Sequence, residues 1–419
     1  MTPAQSFLAW AITACVIAGV VFRPRQWPEA VWTCLGALLL AAFRLVPPGA
    51  AAGAAAKGAD VYLFLTGMML LAELARREGV FDWVAAMAVR ASGESRARLF
   101  GLVYAAGILV TIFLSNDATA VVLTPAVCAA VKKARTDALA YLFICAFIAN
   151  AASFVLPISN PANLIVYGKA LPPLGPWLRT FLIPSLGSIA VTYGVLRWAM
   201  REEIRGFIAG VPDAPQLSPE GRRAAWGILA CGAALIAASA LGYPLGLPTC
   251  VTASAAVWIA TGFRPQAVRR IAAGVAWSVL PFVAGLFVIV EALNRTGSLA
   301  QIAHLFEMCS TLPPVARELA ASFGIAALSN VMNNLPSGLL AGSVVQMGQV
   351  SPGIRDAILI GVDLGPNLSV TGSLATILWL IALRREGIEV RAWRFLKLGA
   401  IVMPPALLLA AVSAALLSK

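Results

Sequence analysis

LFGLVYAAGILVTIFLSNDATAVVLTPAVCAAV, Leu99–Val131, is an apolar run of 33 residues with one interruption, Ser115-Asn116-Asp117-Ala118-Thr119. As a single helix it would be ~50 Å long at 1.5 Å per residue, whereas a bilayer crossing takes roughly 17–25 residues. The run therefore reads as two arms meeting at a polar tip. Leu319–Val345 is interrupted in the same way near Ser329–Pro336, and Ala357–Leu383 is divided by Asp363–Gly372. Irregular backbone at membrane depth is tolerated only where it is buried in protein or lines a wet cavity. Such breaks are where a solute can be held.

Working outward, the chain supplies uninterrupted apolar runs at Phe7–Phe22, Ala30–Val46, Val61–Ala75, Leu139–Leu156, Trp177–Leu196, Ala224–Leu241, Leu245–Phe263, Ala273–Leu293 and Phe395–Leu417. Of its 419 residues 60% are apolar and 12% charged, and the mean hydropathy is +0.85. Soluble domains run nearer 45–50% apolar and about 25% charged. The composition excludes a soluble enzyme, a disordered chain and a nucleic-acid binder. The fold class is an all-α polytopic membrane protein, with about ten transmembrane helices plus two re-entrant helical hairpins. The first run lacks a basic leader and a small-residue cleavage site, so no cleavable signal peptide is expected.

Basic residues orient the spans. With both termini outside, the outer side keeps Arg44, Lys57, Lys169, Arg179, Arg295, Arg317, Arg355 and Lys419; the other 23 of the 31 Lys and Arg fall inside. That bias follows the positive-inside rule and accounts for the net charge of +12. A bacterial inner membrane is the expected location.

The chain also repeats. At an offset of 218, Phe64, Gly67, Glu73, Arg77 and Gly79 meet Phe282, Gly285, Glu291, Arg295 and Gly297; at 214, Leu114-Ser115-Asn116 meets Leu328-Ser329-Asn330. The break at Pro157–Asn163 has its counterpart at Pro366–Ser373. The expected organisation is a first repeat over 1–200 (tip 114–119, broken helix 157–163), a cytoplasmic linker over 201–223, and a second repeat over 224–419 (tip 329–336, broken helix 363–373). Five crossings separate each element from its copy, so the second repeat is inverted. Inverted repeats with discontinuous helices at the midplane are the architecture of secondary transporters.

The breaks are rich in Asn, Ser, Thr, Gly and Pro, which cap helices and offer short-range hydrogen bonds. The candidate solute ligands are Ser115, Asn116, Thr119, Asn160, Asn163, Asn330, Asn333, Asn334, Thr371 and Ser373. Two acids lie among them, Asp117 and Asp363, and an intramembrane carboxylate is a functional candidate by default. Both are assigned to proton coupling. The bland alternative for Asp117 is a cap on the helix that follows, a task Ser or Asn does equally well. The second-repeat position matching Asp117 is Val331 on the offset of 214. Glu73 and Glu291 read as interfacial ion pairs with Arg77 and Arg295, and His304 as an interfacial residue. The seven cysteines (Cys15, Cys34, Cys128, Cys145, Cys231, Cys250, Cys309) are scattered through apolar runs as small hydrophobes, forming neither a disulfide frame nor a metal site. No cofactor is implied.

Three strings go beyond architecture. LSNDATAVVLTP (Leu114–Pro125), NNLPSGLLAG (Asn333–Gly342) and GVDLGPNLSVTGSLATILWL (Gly361–Leu380) resemble the ArsB-type arsenite efflux permeases of the ion transporter superfamily. The first string is also similar to NhaD-type sodium/proton antiporters. The sequence departs from many relatives at Val362, where they have cysteine, and at Asn367, where they have lysine. The resemblance implies a scaffold part and a moving transport part with elevator-like access. It further implies extrusion of arsenite, with antimonite, in exchange for protons. Sodium/proton antiport is the alternative, and a di- or tricarboxylate symporter ranks low because two carboxylates would repel such substrates. The partners implied are membrane lipid and, open at this stage, a soluble ArsA-type ATPase and a homodimer. The chain itself has no P-loop.

Overall fold

Each polar interruption becomes a helix break, and the apolar runs between them become helices. The computed structural model describes residues 1–208, 210, 216–308, 311–348 and 350–417; Cys309, Lys419 and the middle of the linker lie outside the described residues. In the first half the helices are α1 (Pro3–Phe22), α2 (Glu29–Ala42), α3 (Pro48–Ala56), α4 (Ala59–Arg77), α5 (Val80–Ala91), α6 (Arg96–Leu114), α7 (Asn116–Ala118), α8 (Thr124–Lys133), α9 (Leu139–Ala151), α10 (Pro161–Tyr167) and α11 (Leu174–Ala199). In the second half they are α12 (Pro219–Ala240), α13 (Gly246–Ala260), α14 (Pro265–Gly274), α15 (Val279–Arg295), α16 (Ser298–Met308), α17 (Pro314–Met332), α18 (Asn334–Gln346), α19 (Pro352–Leu364), α20 (Leu374–Arg385) and α21 (Ala392–Leu417). A π-helical stretch, Thr119–Leu123, joins α7 to α8. Among the described residues α1, α6, α11, α12 and α21 are each long and apolar enough to cross a membrane alone. The bent pairs α3–α4 (49°) and α14–α15 (46°) each pass as one span. The chain is an all-helical polytopic membrane protein.

The helices pack in two groups. In one, α4 lies on α13 and α2 on α15, with α1 and α12 alongside. In the other, α6 lies on α9, α17 on α19, α10 on α18 and α11 on α21. Aromatic residues fill the second group. Phe147 and Phe395 stack at 5.0 Å, Phe143 lies 5.5 Å from Trp379, and the Trp379 indole donates to the Leu142 carbonyl at 2.9 Å. Burying an indole with its N–H paired gives packing area without an orphaned donor.

Both interrupted runs turn back on themselves. Tyr141, at the start of α9, donates its hydroxyl to the Arg96 carbonyl at the start of α6 (3.2 Å). Only five residues (134–138) join α8 to α9, so α8 ends on the side where α6 began. Likewise the backbone at Gly353 in α19 closes on the Glu318 carboxylate in the first turns of α17, and residues 347–351 join α18 to α19. The turns occur at Ser115 (φ 109°, ψ 160°) and Asn333 (φ 79°, ψ 154°). A hydroxyl pair ties the two arms across each tip: Thr111 with Thr119 at 2.8 Å, and Ser329 with Ser337 at 2.7 Å.

These contacts put the second turn at Asn333, inside the stretch 329–336 expected for that tip. Ser329 and Asn330 are still helical in α17, and the break falls four residues later, at Asn333. Ser115 and Asn333 are 218 apart, as are Thr111 and Ser329, and Thr119 and Ser337. The Leu-Ser-Asn strings lie 214 apart and the turns 218 apart, because residue identity marks residue type while the turn follows backbone geometry. Leu335 follows its turn by two residues as Asp117 follows Ser115, and like Val331 it is apolar. Helix starts keep the spacing of 218: Arg96 with Pro314, and Leu174 with Ala392. α5, after Gly79, was not expected from the sequence, whereas α16, after Gly297, is the short stretch that carries His304; both glycines are at positive φ.

Candidate functional site

The breaks assemble at the centre of the second packed group. α9 stops at Ala151, and the chain runs through a 3-10 turn, Pro157–Ser159, to Asn160, whose Oδ1 accepts the Ala162 N–H at 3.0 Å and starts α10. Proline at the first helical position costs no hydrogen bond there. In the other half α19 stops at Leu364, a 3-10 turn spans Gly365–Leu368, and Ser373 starts α20 by accepting the Thr376 N–H at 3.0 Å. The two broken segments meet. Asn160 Nδ2 donates to Asp363 Oδ1 at 2.8 Å. Asn150 Nδ2 donates to Asn367 Oδ1 at 3.0 Å, and Asn367 Nδ2 donates to the Phe147 carbonyl at 3.0 Å.

Several expected ligands are absorbed in holding the loops. Asn330 Nδ2 donates to the Ala326 and Gly365 carbonyls, Ser369 donates to Asn330 Oδ1, and Thr371 donates to the Asn330 carbonyl. Asn333 Oδ1 accepts the Leu335 N–H at 3.3 Å, and the Asn334 N–H donates to the Gly372 carbonyl at 2.8 Å, seating the second tip on the broken segment. Ser373 pairs with the Thr376 hydroxyl, and Ser115 accepts the Ala118 N–H. Asn163 Nδ2 faces the carbonyls of Ser153, Leu156 and Pro157.

What remains is a set of unpaired acceptors. Asp363 Oδ2, Asn150 Oδ1, Asn163 Oδ1 and Asn334 Oδ1 are buried without a hydrogen-bond donor. Leaving a buried polar group unmade costs ~1–3 kcal/mol each, and native folds keep such groups where something else satisfies them. Each of the four is an oxygen, so a partner for any of them has to bring a donor or positive charge. Asn150 was not among the ligands expected from the sequence, where its signal was a lone Asn inside the apolar run Leu139–Leu156. Asp117 is not among these atoms. It is half-buried in α7, and among the described residues its carboxylate makes no hydrogen bond or ion pair. It does not cap its helix: Ser115 Oγ accepts the Ala118 N–H, and Asn116 Oδ1 accepts the Asp117 N–H at 2.9 Å.

A close helix approach, not anticipated from the sequence, supports the site from behind. On α18 a Cβ at Gly342 would lie 2.7 Å from the Ile165 carbonyl and 2.8 Å from Val166 Cα of α10, and one at Gly338, four residues earlier, would lie 3.2 Å from Val362 of α19 and 3.7 Å from Val166. Small residues at this spacing let membrane helices approach backbone to backbone. Glu73 behaves as expected, with Arg76 at 2.6 Å and Arg77 at 2.5 Å, and Glu291 lies 2.9 Å from Arg295. His304 is exposed beside Glu307 at 3.4 Å. Cys128, Cys145 and Cys231 are buried. No group of three His, Cys, Asp or Glu suited to a metal occurs among the described residues.

The chain belongs to the CitMHS citrate transporter family, whose model matches residues 17–362. It is 28% identical over 356 residues to the arsenical pump membrane protein of Yersinia enterocolitica, covering 81% of this chain and 82% of that one. It is 26% identical over 416 residues to the arsenical pump membrane protein of Escherichia coli K12, covering 96% of each. A crystal structure of the YdaH transporter of Alcanivorax borkumensis shares the fold, with a TM-score of 0.55 over 92% of this chain and 97% of that one at 17% identity. The chain is a multi-pass membrane transporter.

Proposed function

We propose that this member of the family extrudes arsenite, and with it antimonite, from the cytoplasm in exchange for protons. One observation carries the substrate class: the four orphaned oxygens on Asp363, Asn150, Asn163 and Asn334, in breaks that contain no Lys or Arg. Arsenite at neutral pH is the uncharged triol As(OH)3, which presents three O–H donors. A tricarboxylate brings only acceptors and negative charge, and would meet Asp363 with no cation to offset the repulsion. The family's citrate description is therefore the poorer fit to these residues. A bare sodium ion would also suit the four oxygens, so sodium/proton antiport is the second reading. The arsenical names of the relatives and the Gly361–Leu380 string favour arsenite.

The organisation that goes with this reading is two inverted repeats, 1–200 and 224–419, joined by the linker. The group built on α2, α4, α13 and α15 serves as scaffold. The group holding both hairpins moves as the transport part in an elevator-like cycle, the tips lying at membrane depth. A neutral solute draws nothing from the membrane potential, but one proton entering per solute supplies ~2.3 kcal/mol per 100 mV. At ~1.4 kcal/mol per tenfold that sustains a gradient of roughly fifty-fold. Asp117 and Asp363 are the coupling carboxylates. A soluble ATPase could drive export only in trans.

The test is transport in everted inner-membrane vesicles, comparing arsenite, antimonite and sodium while internal pH is read. Arsenite uptake that dissipates the pH gradient is expected; sodium/proton exchange indifferent to arsenite would replace the leading reading with the second.

Two further outcomes are expected. Replacing all seven cysteines by serine should leave arsenite transport within a few-fold of the parent, because the buried thiols fill apolar space rather than converge. Loss of transport in a folded cysteine-free protein, restored by one or two particular cysteines, would assign the thiols to the pathway.

The second concerns orientation. The Ile208 N–H donates to the Glu94 carbonyl at 2.6 Å, and Gly210 packs near the Lys133 carbonyl, so the linker lies against the loop before α6 and the end of α8. Labelling of engineered cysteines should find Gly210 inside and Gly175 outside. Both on one side would break the crossing count on which the inverted repeat depends.

A further inference from the structure

The hydrogen bonds tying α10 to α19 are spaced alike on both helices. Asn160 Nδ2 donates to Asp363 Oδ1 at 2.8 Å, and Tyr167 Oη donates to Asp356 Oδ1 at 2.6 Å. Asn160 to Tyr167 and Asp356 to Asp363 are each steps of seven residues, two helical turns. Asn160 faces the later acid and Tyr167 the earlier one, so the helices run antiparallel. The contacts are the two rungs of one ladder.

α10 is seven residues long, too short to hold itself by helix propagation. Its rungs lie at its two ends, the N-cap Asn160 and the last residue Tyr167. The outer rung is built with care for geometry. Tyr167 is 1% exposed, its ring packed on Trp177 at 5.5 Å. The Arg355 guanidinium lies over that ring at 4.9 Å while its Nε reaches Asp356 Oδ1 at 3.2 Å. From α17, Glu318 and Arg317 face the same corner, 3.9 Å apart; from α18, the uncharged Gln346 donates to the Ile165 carbonyl at 3.2 Å. At the inner rung Asn160 donates to Asp363 and the Ser153 hydroxyl faces the same carboxylate, while no Lys, Arg, Glu or second Asp among the described residues pairs with it.

We infer that Tyr167 and Asp356 are positioning residues for transport: their hydrogen bond sets the register of α10 on α19 and thereby holds the Asn160 amide on Asp363. Sliding α10 by one residue moves it ~1.5 Å and turns it by about 100°, which unpairs both rungs together. Buried polar contacts are well suited to specifying register in this way. The inference rests on the reading of Asp363 as a coupling carboxylate.

The experiment is pH-gradient-driven arsenite uptake into everted vesicles, measured across pH at matched expression, for Asn160→Ala, Tyr167→Phe and the double variant. Tyr167→Phe keeps the ring and its packing and removes only the hydroxyl. It is expected to move the pH of half-maximal uptake in the same sense as Asn160→Ala, and the double variant should move it no further than Asn160→Ala alone, the signature of two residues acting through one interaction. Asp356→Asn, which still accepts from Tyr167, should stay nearer the parental profile than Asp356→Ala.

A parental midpoint in Tyr167→Phe beside a shifted one in Asn160→Ala, or simple additivity, would overturn the inference and leave the coupling reading intact. If Tyr167→Phe fails to reach the membrane, Asp356→Ala takes its place with the same expectation. An Asp363→Asn protein that transports with the parental pH dependence would remove the coupling reading itself, and the inference with it.

Discussion

Asp117→Asn should fold, reach the membrane and lose proton-driven arsenite extrusion by roughly 10²-fold or more, the size of effect that follows removal of a positioned proton-transferring group. The structure strengthens the case by removing the architectural explanation. Ser115 and Asn116 make the capping contacts of the first tip, and the Asp117 carboxylate makes none. An acid with no partner at a hairpin tip is costly to keep, and a neutral amide of the same size should therefore leave stability unchanged or improved. Asp117→Glu, which can still exchange a proton, is expected to retain a fraction of the activity. The assay is pH-gradient-driven uptake into everted vesicles at matched expression. Parental rate and pH dependence in Asp117→Asn would shift the coupling role to Asp363 alone.

The second large effect is on folding. Ser115 and Asn333 share a backbone conformation, φ 109° with ψ 160° and φ 79° with ψ 154°, in the region that is essentially restricted to glycine and costs of order 1–3 kcal/mol for other residues. Their side chains repay part of this by accepting the N–H groups of Ala118 and Leu335. A β-branched residue keeps the strain, worsens it, and loses the cap. Ser115→Val and Asn333→Val should each destabilise the protein by about 2–4 kcal/mol, from strain and cap together. Ser115→Gly and Asn333→Gly should remain close to the parent, since relief of strain offsets the lost cap. Thermal unfolding of the detergent-solubilised protein, followed by tryptophan fluorescence, separates these outcomes. Equal melting temperatures for the valine and glycine variants would mean that the tips relax and that the turn geometry is not what specifies the hairpins.

Much of this architecture is legible from residue order because a bilayer leaves few choices. Backbone groups in hydrocarbon must pair within a helix, so an apolar run of sufficient length is a helix, and an Asn/Ser/Gly/Pro cluster within one is a break. That reasoning places the breaks near Ser115, Pro157–Asn163 and Asp363–Ser373, and reads Glu73 and Glu291 as partners of the arginines that follow them. It fails on α5, whose short amphipathic pattern carries no bilayer constraint, and on Gly338 and Gly342, whose role depends on what lies opposite.

Local composition alone determined that the chain is helical, that it lives in a membrane, roughly where its long helices are interrupted, and which two acids lie at or beside the interruptions. Tertiary structure alone decided the pairings. It fixed the second turn at Asn333 within the expected stretch 329–336, because a turn is specified by backbone dihedrals and by the hydroxyl pair across it. It left Asp117 without a partner and gave Asp363 to Asn160, 203 residues away in sequence. It separated the polar residues that brace loops, such as Asn330 and Thr371, from those with an oxygen to spare, Asn150, Asn163 and Asn334. The two kinds have the same composition and differ only in what reaches them, and hydrogen-bond satisfaction is a property of three-dimensional neighbours that no stretch of one strand of sequence contains.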